Sequence, residues 1–256
     1  MSAATLVLTD SATMLRRNLL HFKRYPAMAF SMIVMPSILL VVFRFVFGGA
    51  LEKSSGGNYV DYVVPGMLLL VPAYLTAGVA VSVATDTSKG IVNRFRTMAI
   101  APSSMLTGHV IGAMIQAVLG VGFMMAVGFA IGWRPSGDVV DWLAVFGLVI
   151  FFSLALSWLA VGMGLVAPNP ESASNLPFPI LMLPFFGSGL VATDTMPLGL
   201  RQFAEYQPFT PLTETVRGLL MGTPIGNSGI IALAWCAGIA IVGYAWSTSV
   251  FRKQSN

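Results

Sequence analysis

Apolar residues run along this chain in long blocks separated by short polar stretches. A bilayer core is about 30 Å thick and is crossed by roughly 20 mostly apolar residues in a helix. Six blocks reach or approach that length: 27–47, 63–84, 105–133, 142–166, 176–192 and 230–250. The breaks carry most of the charge, with Glu52, Lys53 and Asp61 in 48–62 and Asp86, Lys89, Arg94 and Arg96 in 85–104. Residues 134–141 and 167–175 are short polar turns. The pattern predicts an all-α integral membrane protein of six transmembrane helices. It reads as one membrane domain over 1–256: an amphipathic helix at 5–24, the six-span region at 27–250 and a tail at 251–256.

Composition removes the soluble alternative. Of 256 residues, 56% are hydrophobic and 9% charged, against roughly 25% charged in a typical soluble domain. So few charges cannot cover a globule of this size, and disorder needs far lower hydrophobicity. The basic residues are split among the flanks of the apolar blocks, which argues against a nucleic-acid surface. The first block follows an amphipathic segment and is too long for a signal-peptide core. Cys236 is the single cysteine, so no internal disulfide can form.

Lys and Arg set the orientation by the positive-inside rule. With the N-terminus inside, the inner segments hold Arg16, Arg17, Lys23, Arg24, Lys89, Arg94, Arg96, Arg252 and Lys253, and the outer ones hold Lys53, Arg134, Arg201 and Arg217. Nine against four places both termini in the cytoplasm, with Trp133, Trp142, Tyr25 and Trp246 as interfacial aromatics. Arg44 lies inside the first span, three residues before Phe47. It either snorkels to the outer headgroups or faces a substrate path.

Three segments are not spans. Leu8, Leu15, Leu19 and Phe22 recur at helical spacing among Arg16, Arg17, Lys23 and Arg24, predicting a surface helix over 5–24. In the inner loop, Asp86, Thr87 and Ser88 offer N-caps before Lys89 and Gly90. Ile91, Phe95 and Met98 then share a face, Arg94 and Arg96 lie elsewhere, and Pro102 ends the run. Such a helix fits a groove in a partner protein or lies at the interface. The outer segment 193–229 is too long for a bare loop and predicts two short amphipathic helices in the outer leaflet. The first opens at Pro197, with Leu200, Phe203 and Ala204 on one side. The second has Thr210 as N-cap, Pro211 at the first position and Gly222 as its stop. In it Leu212, Val216 and Leu219 share a face, and Glu214 reaches Arg217 one turn on.

The fifth span carries Pro177, Pro179 and Pro184 and then Gly187 and Gly189. Interior proline breaks helices. Membrane proteins keep such breaks where protein or a water-lined cavity satisfies the backbone, so this span is a pathway wall or a loosely packed helix. Gly108/Gly112 and Gly128/Gly132 predict close helix contacts in span three.

The chemistry inventory is mostly negative. No Gly-Lys dipeptide occurs, so the chain has no Walker-type phosphate loop. His21 and His109 lack the spacing of a zinc site. Ser188 between two glycines invites a hydroxyl-nucleophile reading, but a nucleophile needs a base and no histidine follows it. Every Asp and Glu falls in a loop or flank, which disfavours proton-coupled carriage. A passive channel, a scaffold, or a permease energised from outside this chain remains.

Several motifs, in order, resemble the permease subunit of ABC type-2 exporters, particularly the daunorubicin-resistance-like drug-efflux group. They are Arg16-Arg17-Asn18-Leu19-Leu20 before Pro26, then Tyr62-Val63-Val64-Pro65-Gly66, then the run from Asp86 to Thr97 followed by Pro102. Beyond these come Thr193-Asp194-Thr195-Met196-Pro197, Tyr206-Gln207-Pro208-Phe209-Thr210-Pro211-Leu212 and Arg217-Gly218-Leu219-Leu220. Related loops often carry an acidic residue shortly before the glycine, where this chain has Thr87-Ser88-Lys89.

The resemblance implies a homodimer or heterodimer of permeases in a bacterial cytoplasmic membrane, joined to two copies of an ATP-binding subunit. ATP and Mg would belong to that partner, and this chain would need no cofactor of its own. Asp86, Lys89, Gly90, Ile91, Arg94, Phe95 and Arg96 would form a coupling helix. Arg44, Pro65, Pro179, Pro184, Phe203, Leu212, Glu214 and Arg217 would be pathway or lid residues. The expected cargo is amphipathic drugs, with lipids, glycolipids or polysaccharide precursors as the alternative, and a non-transport scaffold as a third reading.

Overall fold

A computed structural model describes residues 26–55, 58–90 and 102–255. The expected surface helix at 5–24 lies outside these residues, as do Ile91, Arg94, Phe95, Arg96 and Met98. Among the described residues the chain is helical, with no strands, and five helices are long and apolar enough to cross a membrane: Ile33–Glu52, Tyr59–Ser88, Leu106–Ala130, Val139–Val166 and Ser228–Lys253.

The first of these joins α1 (Pro26–Val42), a π-helical turn at Phe43–Phe47 and α2 (Gly48–Ser55). Helix therefore continues past Phe47, where a break was expected, and Arg44 sits in the π turn rather than at a helix end. The second comprises α3 (Tyr59–Leu68), capped by the Asn58 side chain, and α4 (Leu70–Ser88). Pro72 has no N–H to offer the Leu68 carbonyl, and the axis is interrupted at Leu69. This helix pair is the centre of the bundle, buried over 72% of its most apolar window.

Around it stand α5 (Pro102–Ala130), α6 (Val139–Val166) and α11 (Ser228–Ser255). The start of α6 is set by a reciprocal cap: Asp138 accepts from Val140 and Asp141 N–H, and the Asp141 carboxylate accepts from Asp138 N–H. In lipid, helices associate through close packing rather than through water exclusion, and small residues permit it. A Cβ on Gly164 would lie 2.6 Å from the Ala80 carbonyl oxygen, and one on Gly243 would lie 2.7 Å from the Leu159 nitrogen. α6 is thus wedged between α4 and α11. The expected pair Gly128/Gly132 divides: Gly128 packs against Val64 and Trp133, whereas Gly132 has φ +101° and open space, so it turns the chain after α5. Trp133 is fully buried beside Trp142.

The block 176–192 is not one helix. Asn169 caps α7 (Pro170–Asn175), and α8 (Phe178–Met182) passes into a 3₁₀ turn at Leu183–Phe186, where Pro184 interrupts the ladder. Ala173 packs on Ala80 and Ala84, and Gly189 meets Gly66. The interrupted segment therefore runs beside the central helix over about 21–27 Å, at 1.5 Å per helical residue. A short turn at Thr193–Thr195, α9 (Leu198–Tyr206) and α10 (Phe209–Met221) follow. α10 begins one residue before Thr210, with Pro208 at the cap position, so Thr210 is inside the helix and its hydroxyl is free for another partner. Gly222 ends it as expected, in the left-handed conformation at φ +69°.

Cys236 is fully buried against the core. A maleimide should label it only after unfolding, and rapid modification of the folded protein in detergent would contradict this packing.

Candidate functional site

The bundle has two polar ends. At one, the segment 91–101 connects α4 to α5; at the other, residues 58–62, 131–138 and 186–222 meet.

At the second end, segments distant in sequence converge on Arg217. Its Nε and Nη2 donate to the Tyr62 carbonyl at 3.2 and 3.1 Å, and Nη2 also donates to the Ser188 carbonyl at 2.8 Å. Nη1 donates to the Glu214 carboxylate at 2.9 Å. The Tyr62 ring lies under the guanidinium, 3.8 Å from Cζ. Only a planar fork with several donors can serve two carbonyls, a carboxylate and a ring face together. The expected Glu214–Arg217 pair is present, but Arg217 is 6% exposed. It is a buried clamp, not a surface pair.

The same corner is laced further. Tyr62 donates its hydroxyl to the Ser188 carbonyl at 2.9 Å and Tyr59 to that of Leu190 at 3.2 Å. Thr210, freed from capping, accepts from Ser188 N–H at 3.1 Å and Gln207 Nε2 at 3.4 Å. The backbone released by the break at Gly187–Leu190 thus finds protein partners on α3 and α10, which broken helices require in an apolar medium. Ser188 Oγ is buried with no hydrogen-bond partner.

Other expected site residues divide by burial. Pro65 is buried in α3, Pro184 is buried in the 3₁₀ turn and Leu212 is fully buried in α10. Pro179 is exposed, and Phe203 is 49% exposed with its ring edge-on to Phe186. The buried face assigned to α9 is therefore narrower than the apolar spacing suggests: Ala204 is covered, while Leu200 and Phe203 are not. Arg44 is half-buried, with its Cζ 5.9 Å from the Phe45 ring centroid and its Nε buried without a hydrogen-bond partner.

At the loop end, Asp86 lies in the last turn of α4 and is not an N-cap of a following helix. The Thr85 and Thr87 hydroxyls donate back to the Val81 and Val83 carbonyls, within α4. Lys89 caps it exposed and Gly90 turns left-handed at φ +67°. Asp86 is buried and accepts from His109 Nε2 on α5 at 3.1 Å. On sequence grounds His109 is set aside only as a zinc ligand. Its signal was available only as a histidine in an almost charge-free span. Among the described residues, no three His, Cys, Asp or Glu side chains are grouped to hold a metal ion.

Five membrane-length helices among the described residues, the buried pair α3 and α4 at their centre and polar clamps at both ends, define a multi-pass integral membrane protein. Residues 10–221 match the family described as ABC-2 type transporter. The chain belongs to that family. It is 26% identical over 255 residues to the daunorubicin resistance ABC transporter permease protein DrrB1 of Streptomyces coeruleorubidus, covering 99% of this chain and 89% of the relative. It is 22% identical over 243 residues to the probable doxorubicin resistance ABC transporter permease protein DrrC of Mycobacterium tuberculosis, covering 94% and 87%. A further relative there, the doxorubicin resistance ABC transporter permease protein DrrB, is 28% identical over 126 residues, 49% of this chain and 44% of the relative. These relatives are named as permease proteins of drug-resistance ABC transporters.

Proposed function

We propose that this chain is the permease of an ATP-driven exporter in a bacterial cytoplasmic membrane, carrying amphipathic drugs of the anthracycline type outward. The observation that carries the reading is the family match over 10–221, joined to relatives whose names specify daunorubicin and doxorubicin resistance. The whole chain, 1–256, acts as one permease domain that pairs with a second permease, identical or related. Two ATP-binding subunits on the cytoplasmic side hold ATP and Mg, in keeping with a chain that has no phosphate loop. Closure of those subunits pushes the 86–98 segment and reopens the path outward, a rigid-body switch.

In this reading the segment 170–192 is a sixth crossing made of broken helix. Its run from Ala84 to Gly66 along the central helix supports this. Both termini then lie in the cytoplasm, and α9 and α10 form a lid at the outer face. In a Cys236→Ser background, an impermeant thiol reagent added to intact cells should label a cysteine at Leu200 and not one at Lys89. The reverse pattern overturns the orientation.

The function is tested by co-expressing the chain with an ATP-binding cassette subunit from the same genome and measuring ATP-dependent daunorubicin uptake into inverted vesicles. Uptake that requires both subunits and ATP is expected; assembly without uptake would reject the drug-export reading. Phe95→Asp should leave the chain folded and abolish uptake or binding of the ATPase. Normal uptake by that variant would remove the loop from the coupling path.

A further inference from the structure

Among the described residues, the buried Asp, Glu, His, Lys and Arg side chains are Arg217, Asp86 and His109. Arg217 is accounted for by the clamp at the opposite end. The other two meet each other across the base of the segment that joins α4 to α5, and their placement is specific. Asp86 is two residues from the end of α4 and His109 seven residues into α5, so the pair ties together the two helix ends that the segment 91–101 connects in sequence. Next to the pair in sequence, Val83 of α4 and Leu106 and Val110 of α5 belong to an apolar cluster that also holds Leu165 of α6 and Phe251 of α11.

We propose that Asp86 and His109 are a positioning pair that makes the loop ends of α4 and α5 move as one body when the loop between them is pushed. This deepens the coupling reading above and rests on it. The physical case is as follows. Two helices side by side in lipid gain nothing from water exclusion, so apolar side chains at this neck would let them slide or splay at small cost. A hydrogen bond between a carboxylate and an imidazole in an apolar pocket is directional, and neither partner has water to replace the other. The helix ends therefore keep one relative position. A load applied to the loop is then delivered to both helices together, and α4 carries it through α3 to the Arg217 clamp. Without the pair, the same load is absorbed by separation of α4 from α5.

The test uses the complete complex with its ATP-binding subunit in proteoliposomes, with daunorubicin as the probe. Asp86→Asn, His109→Gln and the exchanged pair Asp86→His/His109→Asp are compared with the unaltered chain for assembly, ATP turnover and drug moved per ATP. Both single variants should assemble, while drug moved per ATP hydrolysed falls about tenfold or more, the scale of a buried polar pair's coupling. The exchanged pair should recover most of that loss, which a role in side-chain volume alone would not produce. Single variants that transport normally, or an exchanged pair no better than either single variant, would overturn the proposal. So would loss of assembly in both conservative variants, because the pair would then be a folding element. If the unaltered chain binds no ATPase or moves no drug, the functional reading fails instead, and the two failures are distinct.

Discussion

Replacing Arg217 by alanine is expected to destabilise the folded chain by about 3–5 kcal/mol, the usual cost of removing one partner from a buried charged network. The carbonyls of Tyr62 and Ser188 each lose a donor, Ser188 keeping only the Tyr62 hydroxyl. Glu214 loses its cation and the Tyr62 ring loses the charge lying on it. Arg217→Lys should recover only part of the loss, since an ammonium cannot span both carbonyls and the carboxylate with a rigid fork. Glu214→Gln should be mild, because Glu214 is partly exposed and an amide oxygen can still accept. Thermal unfolding in detergent reads all three. A stable Arg217→Ala protein with normal drug efflux would show that the corner is held without the clamp. Leu212→Asp places a charge in the same buried region and should lower stability, whereas Phe203→Asp should be tolerated because that ring is half exposed.

The second large effect is expected from a single methyl group. A Cβ at Gly66 would lie 2.5 Å from the Gly189 Cα and 2.6 Å from its carbonyl oxygen. The obstacle is backbone, so no side chain can rotate away. Gly66→Ala must push the broken segment off α3, lengthening the hydrogen bonds from Tyr62 and Arg217 to Ser188 next door. Overpacking of this kind costs about 1–3 kcal/mol, and Gly66→Val should exceed it. Gly122 and Gly147 are controls, since a Cβ there meets nothing within 4 Å. Alanine at either should be neutral or slightly stabilising through helix propensity. Unfolding temperatures of the four variants decide the matter; equal effects at Gly66 and Gly147 would refute the close crossing.

Much of the architecture was legible one block at a time. The long apolar runs of α4, α5, α6 and α11 need no tertiary information, because a bilayer demands about 20 apolar residues per crossing and a helix satisfies its own backbone. The stop of α10 was equally local: Gly222 is where a left-handed residue costs least. The start of α10 was not. Thr210 and Pro211 form a plausible cap and first turn, yet Thr210 is a helix residue whose hydroxyl accepts from Ser188 and Gln207. Asp86 was misread in the same way, since acids and hydroxyls cap helices only where no distant partner claims them.

The sequence by itself therefore determined the membrane class, the apolar helices, the absence of a phosphate loop and the family resemblance through its motifs. These follow from composition, length and local backbone preference, which act over a few residues. Only the tertiary structure decided that 176–192 is a chain of short turns rather than a span-length helix. It also decided that Arg217 is a buried clamp, that Phe203 is exposed and that Asp86 finds His109. Each of those depends on which segment lies opposite, and a one-dimensional pattern of apolar and polar positions carries no record of what faces it across the bundle.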